Sequence, residues 1–378
     1  MGVRGSIRSR STGVWELRVP LPFDPVSGRY GQRSVSYRGT KRAAEIELAR
    51  LITKADRTKQ SGTQAAFATL IEQWWELKQP RLSPATAREY QRLIDRRVLP
   101  GLGRIKVAKL GAAELDRYYA RLATDGLAPA SVRQIHAIVS GSLGQAVKWG
   151  WLHTNPARDA TLPQARRTPI EPPTPTKVRL LLNEAEQHSP EFGLFIRLAA
   201  ALGCRRGEVC GLRWSDIDLD NRTATIHRSV IDVAGVLHIK DTKTHQIRRV
   251  SIDSDTCDHV ATHHHYVLDR AAAAGIELDT DAYLLSEWPD GAKPMRPDKA
   301  TNTFRLLRDK VGLPDARLHD LRHFMATQLI GSGHDIRTVA GRLGHAQTST
   351  TLNVYAAFLQ QQDRQAADTL GNLLRNPQ

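Results

Sequence analysis

From Gly13 to Thr40 the chain reads GVWELRVPLPFDPVSGRYGQRSVSYRGT, and apolar and polar side chains alternate along it. Trp15, Leu17 and Val19 fall on one face and Glu16 and Arg18 on the other, the period of two that a half-buried strand requires. Asp24-Pro25 and Ser27-Gly28 supply a turn. Thr40 stands where a helix cap belongs and opens a helix through about Lys54. Three short strands and one helix are therefore predicted for residues 1–60. From 65 to 160 the period becomes helical. Leu70, Ile71, Trp74, Trp75 and Leu77 form an apolar stripe, and Ser83-Pro84 starts a second helix, because proline fits a first turn. AAELDRYYARLATDG and ASVRQIHAIVSGSLGQAVKWGWL continue a four-helix set. ARRTPIEPPTPTK then breaks the pattern. Its prolines remove backbone donors and favour extended chain, so 161–175 is read as a linker. Beyond it, EFGLFIRLAAALG is helical. TATIHRSVID, GVLHIKDTKT and IRRVSID read as a three-stranded sheet, and helices run from there to the C-terminus. The expected class is α+β and multidomain, with no internal repeat or low-complexity tract.

Charge narrows the partners. The 378 residues hold 54 Lys+Arg against 39 Asp+Glu, a net charge of +15, which favours a polyanion, nucleic acid before an anionic membrane surface. Residues 1–60 alone hold 13 Lys/Arg against 5 Asp/Glu, a surplus of 8, and a β-sheet can place side chains in a DNA groove. Arg88, Arg92, Arg96, Arg97 and Arg133 can line a phosphate-facing side of the helical segment or a plain solvated face. No apolar run of about 18 residues could span a bilayer, and no signal-peptide core opens the chain. Cys204, Cys210 and Cys257 form no C-x-x-C pair, so neither a structural zinc site nor a disulfide framework is expected. A reducing cytoplasm fits.

The chemistry concentrates late in the chain. Arg317 to Tyr355 holds four histidines, four arginines and one tyrosine. His319 and Arg322 have the spacing of one helix face. In GRLGH, His345 follows a glycine able to end a helix, and Tyr355 comes ten residues later. Upstream, Arg205 and Glu208 stand at i and i+3 in GCRRGEVCGLRWSDID, where Glu208 can orient Arg205 through a charge-assisted hydrogen bond. Lys243 sits in DTKTHQIRR, read as a β-hairpin from which its amine can point away from the sheet. Singly, each is an ordinary residue. Together they are what phosphodiester chemistry without metal requires. Arginines neutralise non-bridging oxygens bidentately, a lysine protonates a leaving oxygen, a tyrosine stores the bond covalently, and histidines orient the phosphate or accept the phenol proton.

The order ALGCRRGEVCGLRW, TKT, HDLRH, LGH and then a tyrosine resembles the tyrosine recombinases, particularly the phage and mobile-element integrases, along the whole chain. The resemblance implies an arm-type DNA-binding domain over 1–60, a helical core-binding domain over 65–160, and a mainly α catalytic domain with a small antiparallel sheet over 176–378. It implies Arg205 and Arg322 as the catalytic arginines, Lys243 as the β-hairpin lysine, His319 and His345 as the histidines, and Tyr355 as the nucleophile forming a 3′-phosphotyrosine. It further implies double-stranded DNA as partner at core-type and arm-type sites, a homotetramer on DNA, an accessory bending or excision factor, and no cofactor or metal. Leu202 and Ser251 depart from residues frequent in the family, threonine and proline respectively, without removing a reacting group.

A type IB topoisomerase shares this chemistry, and a DNA-binding regulator shares the basic surface. The basic N-terminal module and the complete reacting set favour an integrase. His263 to His265 are adjacent, so on a helix their rings diverge and a metal site is disfavoured. Asp216 and Asp218 follow a tryptophan at a helix-to-strand turn, where aspartates cap and solvate. Ala366, Ala367, Leu370, Leu373 and Leu374 give the tail an apolar stripe that packs on its own domain or docks on a neighbour.

Overall fold

The computed structural model describes residues 5–24, 29–58, 64–164, 172–241 and 247–344, with 367–368, 370–372 and 374–375 near the C-terminus. It divides into two compact units, Met1–Arg167 and Thr168–Gln378.

The first unit opens with β1 (Ser6–Ser11), β2 (Val14–Asp24) and β3 (Arg29–Arg38), followed by α1 (Lys41–Thr58). The strands form one antiparallel sheet in the order β1-β2-β3. Leu17 and Val19 are buried with Ala44 and Leu48 of α1, and Trp15 packs at their edge. The period-two reading is thus realised, and Thr40 Oγ1 accepts from Ala43 N at 3.3 Å as the cap. Paired residues share a face, so Arg8 with Glu16, and Ser6 with Arg18 and Ser34, lie opposite the face that carries Leu17. There Glu16 is buried between Arg10 and Arg18, at 3.1 and 3.5 Å. The hydrogen bond from Arg10 is the main reason its carboxyl is held down to about 2.

The helices that follow are α2 (Phe67–Lys78), α3 (Pro84–Leu93), α4 (Leu99–Leu102), α5 (Ala112–Thr124) and α6 (Pro129–Lys148). A π-turn over Ile94–Val98 joins α3 to α4, giving four helical rods. Pro100 has no N–H to donate to the preceding turn, consistent with that wider register. Ser83 caps α3, its hydroxyl accepting from Thr86 N at 3.4 Å. Leu70, Ile71 and Trp74 enter a core shared with Ile135, Ile138 and Leu143 of α6. Leu77, which the pattern placed with them, is 53% exposed. It lies in the last turn of α2, where the same helix face has run past the core. Arg88, Arg92, Arg96, Arg97 and Arg133 all keep surface open to solvent.

The second unit contains α7 (Pro175–His188), α8 (Pro190–Leu202), α9 (Arg206–Cys210), β4 (Ile217–Asp218), β5 (Thr223–Ile226), β6 (Arg228–Val233), β7 (Val236–Asp241), β8 (Arg248–Ser251), α10 (Ser254–Ala273), α11 (Pro297–Lys310), α12 (Asp320–Gly331) and α13 (Ile336–Leu343). Helix α8 is apolar nearly all round because it is the centre of the core, with Phe195, Ile196, Leu198 and Leu202 fully buried. The expected single sheet is instead two. β4-β5-β8 form one, and β6-β7 form a separate hairpin. TATIHRSVID is therefore two strands that part at His227. Its Nε2 lies 2.8 Å from Asp216 Oδ1, while Arg228 Nη1 donates to Oδ2 of the same carboxylate at 2.9 Å. That buried carboxylate pins the joint. Among the described residues no helix is long and apolar enough to cross a membrane.

Candidate active site

Helix α8 stops at Gly203, whose φ of 62° is the left-handed conformation glycine adopts without strain. A Cβ there would also lie 2.1 Å from Met325 Cε. The reversal buries Cys204 and leaves Arg205, half-buried, as the cap of α9. Three residues on, Glu208 turns its carboxylate back. Its Oε2 accepts from Arg205 N at 2.9 Å and its Oε1 from Arg205 Nη1 at 2.8 Å. This is the orientation that the i, i+3 spacing predicted. Glu208 is 1% exposed, and a second cation reaches it, Arg248 Nη2 donating to Oε2 at 2.6 Å. Burial acts to raise the Glu208 carboxyl, but the hydrogen bond and charge of Arg248, with those of Arg205, leave it below its ordinary value.

Arg322 lies in the first turn of α12 with 2% exposure. Its Nη1 donates to Gly203 O at 2.6 Å and its Nη2 to Leu343 O at 2.5 Å. The two carbonyls close α8 and α13, and helix-end carbonyls lack partners within their own helix and attract a cation. One guanidinium thus ties three helices together at the site. Burial, with the nearby charge of Arg205, lowers it to about 10, so it remains cationic at neutral pH.

His319 stands immediately before the first residue of α12, its ring 4.9 Å from that of His323 and edge-on to it. The residue keeps exposed surface. Its partial burial, then the positive fields of His323, Arg322 and Arg205, lower it to about 4. Arg322 Nη1 reaches Gly203 O, two residues before Arg205, and His319 stands one helical turn before Arg322, so these three sequence-predicted residues converge. Lys243, His345 and Tyr355 lie outside the described residues. Gly344, before His345, has φ 66° and ends α13, as the glycine reading required.

Arg248 is the site residue that sequence reasoning passed over. Its signal was present: in Arg248-Arg249-Val250-Ser251 the period of two puts Arg248 on the inward face with Val250 and Arg249 outside, as observed. The other candidates are structural. Asp216 accepts from Arg213 N at 2.9 Å and is held by His227 and Arg228 as well, and Asp218 accepts from Asn221 N at 2.9 Å. His263 is buried with Nε2 3.0 Å from Leu284 O, while His265 is exposed, so the rings do diverge. Among the described residues no three His, Cys, Asp or Glu stand together as metal ligands would.

This second unit coincides with the region, residues 174–362, that matches the model of the phage integrase family, and residues 66–123 match that of the phage integrase N-terminal SAM-like domain. The chain is 24% identical over 370 residues to the ICEBs1 integrase of Bacillus subtilis, covering 98% of this chain and all of the relative. It is 26% identical to the putative prophage phiRv2 integrase of Mycobacterium tuberculosis, over 82% of this chain and 80% of the other. In fold it is similar to the Tn1549 transposon integrase solved with transposon right end DNA, with a TM-score of 0.67 at 19% identity over 80% of this chain and 99% of that one. A lambda integrase dimer bound to a core site gives a TM-score of 0.59 at 16% identity, over 92% and 93%. With a family model spanning half its length, laid over the unit that gathers Arg205, His319 and Arg322, the chain belongs to the phage integrase family of tyrosine-type site-specific recombinases.

Proposed function

We propose that the chain cuts and rejoins DNA at attachment sites of a mobile element, through a covalent bond between Tyr355 and a DNA 3′-phosphate. The Tyr355 oxygen attacks the scissile phosphorus in line with the 5′-oxygen. The phosphorus–5′-oxygen bond breaks as the phosphotyrosine forms. Lys243 gives a proton to the departing 5′-oxygen, and His319 receives the phenol proton. Depressed to about 4, the His319 imidazole is neutral at physiological pH and free to accept. Arg205 and Arg322 meet the charge that builds on the non-bridging oxygens, normally the largest share of catalysis, and His345 supports the same phosphate. A 5′-hydroxyl from a second duplex then attacks the phosphotyrosine and releases the tyrosine. Each step exchanges one phosphoester bond for another, so no nucleoside triphosphate is consumed.

The observation that carries this reading is the convergence of Arg205, His319 and Arg322, from segments far apart in sequence, on the ends of α8, α12 and α13. The partners follow from the same reading: the helical segment 65–160 engages core-type DNA, the basic segment 1–60 engages arm-type DNA, and four copies act on two sites. The lambda integrase, whose fold this chain shares, has been solved as a tetramer bound to a Holliday junction, which supports that assembly. An accessory bending or excision factor would set direction.

The test is a nicked suicide substrate whose cleavage traps protein on DNA. Wild-type protein should form the adduct in EDTA, since arginine and lysine supply the charge. Tyr355→Phe should bind as well and form none. Adduct formation by the Phe variant, or a strict requirement for magnesium, would refute the mechanism.

A further inference from the structure

Core packing alone does not account for Arg248. It stands on the inward face of β8 at 8% exposure, where an apolar side chain like Val250 would serve the core better, because burying a guanidinium is costly unless it is fully paired. Its pairing is incomplete. Nη2 donates to Glu208 Oε2 at 2.6 Å and lies 3.8 Å from Cys204 Sγ, while Nε meets no partner among the described residues. A Cβ on Gly344 would fall 3.1 Å from Arg248 Cδ and 3.2 Å from its Nη1, so the guanidinium also fills the space beneath the turn that ends α13.

We infer that Arg248 is a positioning residue for Arg205, acting through the carboxylate of Glu208. The inference rests on the reading of Arg205 as a catalytic cation. Glu208 carries one negative charge and is shared by two arginines. With Arg248 present, the trio has a net charge of +1, and Arg205 retains positive charge to offer a phosphate. Without Arg248, Arg205 would be the one cation among the described residues still bonded to this buried carboxylate and would be held and neutralised by it. Arg248 also occupies Oε2, which leaves Oε1 to Arg205 Nη1 and so fixes the direction in which the Arg205 fork points.

The experiment uses the full-length protein, measuring single-turnover cleavage of a nicked core site alongside core-site binding and thermal melting. Arg248→Met is expected to bind core DNA as wild type does and to cleave it about 10²-fold more slowly, the scale seen when a supporting partner of a reacting group is removed. A second substrate carries an uncharged methylphosphonate in place of the scissile phosphate. A centre without negative charge has less need of the Arg205 cation, so the gap between Arg248→Met and wild type should nearly close on it. A purely structural defect would slow both substrates equally. If melting shows Arg248→Met unfolded, Arg248→Lys decides instead. It keeps the charge but loses the fork, and should show a cleavage loss of about tenfold with the same narrowing on the methylphosphonate. Wild-type cleavage by the deciding variant, or a loss of equal size on both substrates, would overturn the inference. Arg205→Ala separates this from the reading beneath it. If that variant cleaves normally, Arg205 is not catalytic. If it is inactive while the Arg248 variant cleaves normally, only the role of Arg248 is wrong.

Discussion

Gly207 separates Arg206 from Glu208 within α9, and replacing it with alanine sets two effects against each other. Alanine in a helix is favoured over glycine by about 1 kcal/mol. The structure opposes it. A Cβ on Gly207 would lie 2.4 Å from Val230 O and 2.6 Å from Ser229 Oγ, where ordinary contact begins at 3.4 Å. Val230 belongs to β6 and is paired with Ile239 of β7, so the obstacle is main chain held in a hairpin. Helix α9 must therefore back away by about 1 Å. Overpacking costs about 1–3 kcal/mol, and a rigid carbonyl places this case at the upper end. Subtracting the propensity gain leaves a destabilisation of about 2 kcal/mol. For a unit of this size that is a fall of about 4–8 °C in melting temperature. Gly341 is the control. It lies inside α13 of the same unit, and a Cβ there meets nothing within 4 Å. Gly341→Ala should stabilise by about 0.5–1 kcal/mol. Calorimetry of the full chain reads both, because the transition that Gly341→Ala raises identifies the one that Gly207→Ala lowers. The same displacement moves the Arg205–Glu208 pair, so Gly207→Ala should also slow adduct formation by about 10²-fold, the usual cost of a 1 Å error in placing reacting groups. A Gly207→Ala protein that melts at or above the wild-type temperature, or cleaves at its rate, would refute the reasoning.

Two further expectations concern charge. The folded protein holds His319 at about 4 against an ordinary 6.5, so between those values the unfolded chain binds more protons and stability should fall as pH drops through that window. Urea midpoints of the wild type should decline there relative to His319→Asn, and a His319 imidazole titrating at or above 6.5 by NMR would contradict the geometry. A chain starting near Ala65 should keep core-site cleavage but show a shallower salt dependence on long attachment-site DNA, by about 0.9 in log–log slope for each phosphate that residues 1–60 would have neutralised. Filter binding across a salt series reads the slope, and equal slopes for the two chains would mean that residues 1–60 do not engage DNA.

Where a residue's role depended on its neighbours in sequence, the chain was readable. Leu17 and Val19 alternate into a core, Thr40 and Ser83 cap the helices they precede, Glu208 orients Arg205 three positions away, and Gly344 ends α13. Each follows from helix or strand geometry within a few residues. The failures share the opposite property. Leu77 satisfies the helical period but lies past the end of the core, and only packing sets where a core ends. TATIHRSVID alternates as one strand, yet Asp216, eleven residues before His227, divides it between two sheets. No local period reports a partner beyond the segment.

The site shows how local and distant constraints combine. Glu208 was found because one of its arginines is a helical neighbour, while the other is forty residues away. A buried carboxylate with a single arginine would form a closed neutral pair, inert toward a phosphate. The distant cation is what leaves the neighbouring one available. Arg322 obeys the same logic in reverse, since it spends its Nη atoms on two carbonyls that belong to helix ends elsewhere in the chain. Those carbonyls carry only partial charge, so the guanidinium is held without being neutralised. The two arginines thus reach one condition by different routes: each is fixed in place by groups that cancel only part of its charge. Residue spacing can suggest that arginines will meet, but whether their charge survives the meeting depends on partners that only the fold brings together.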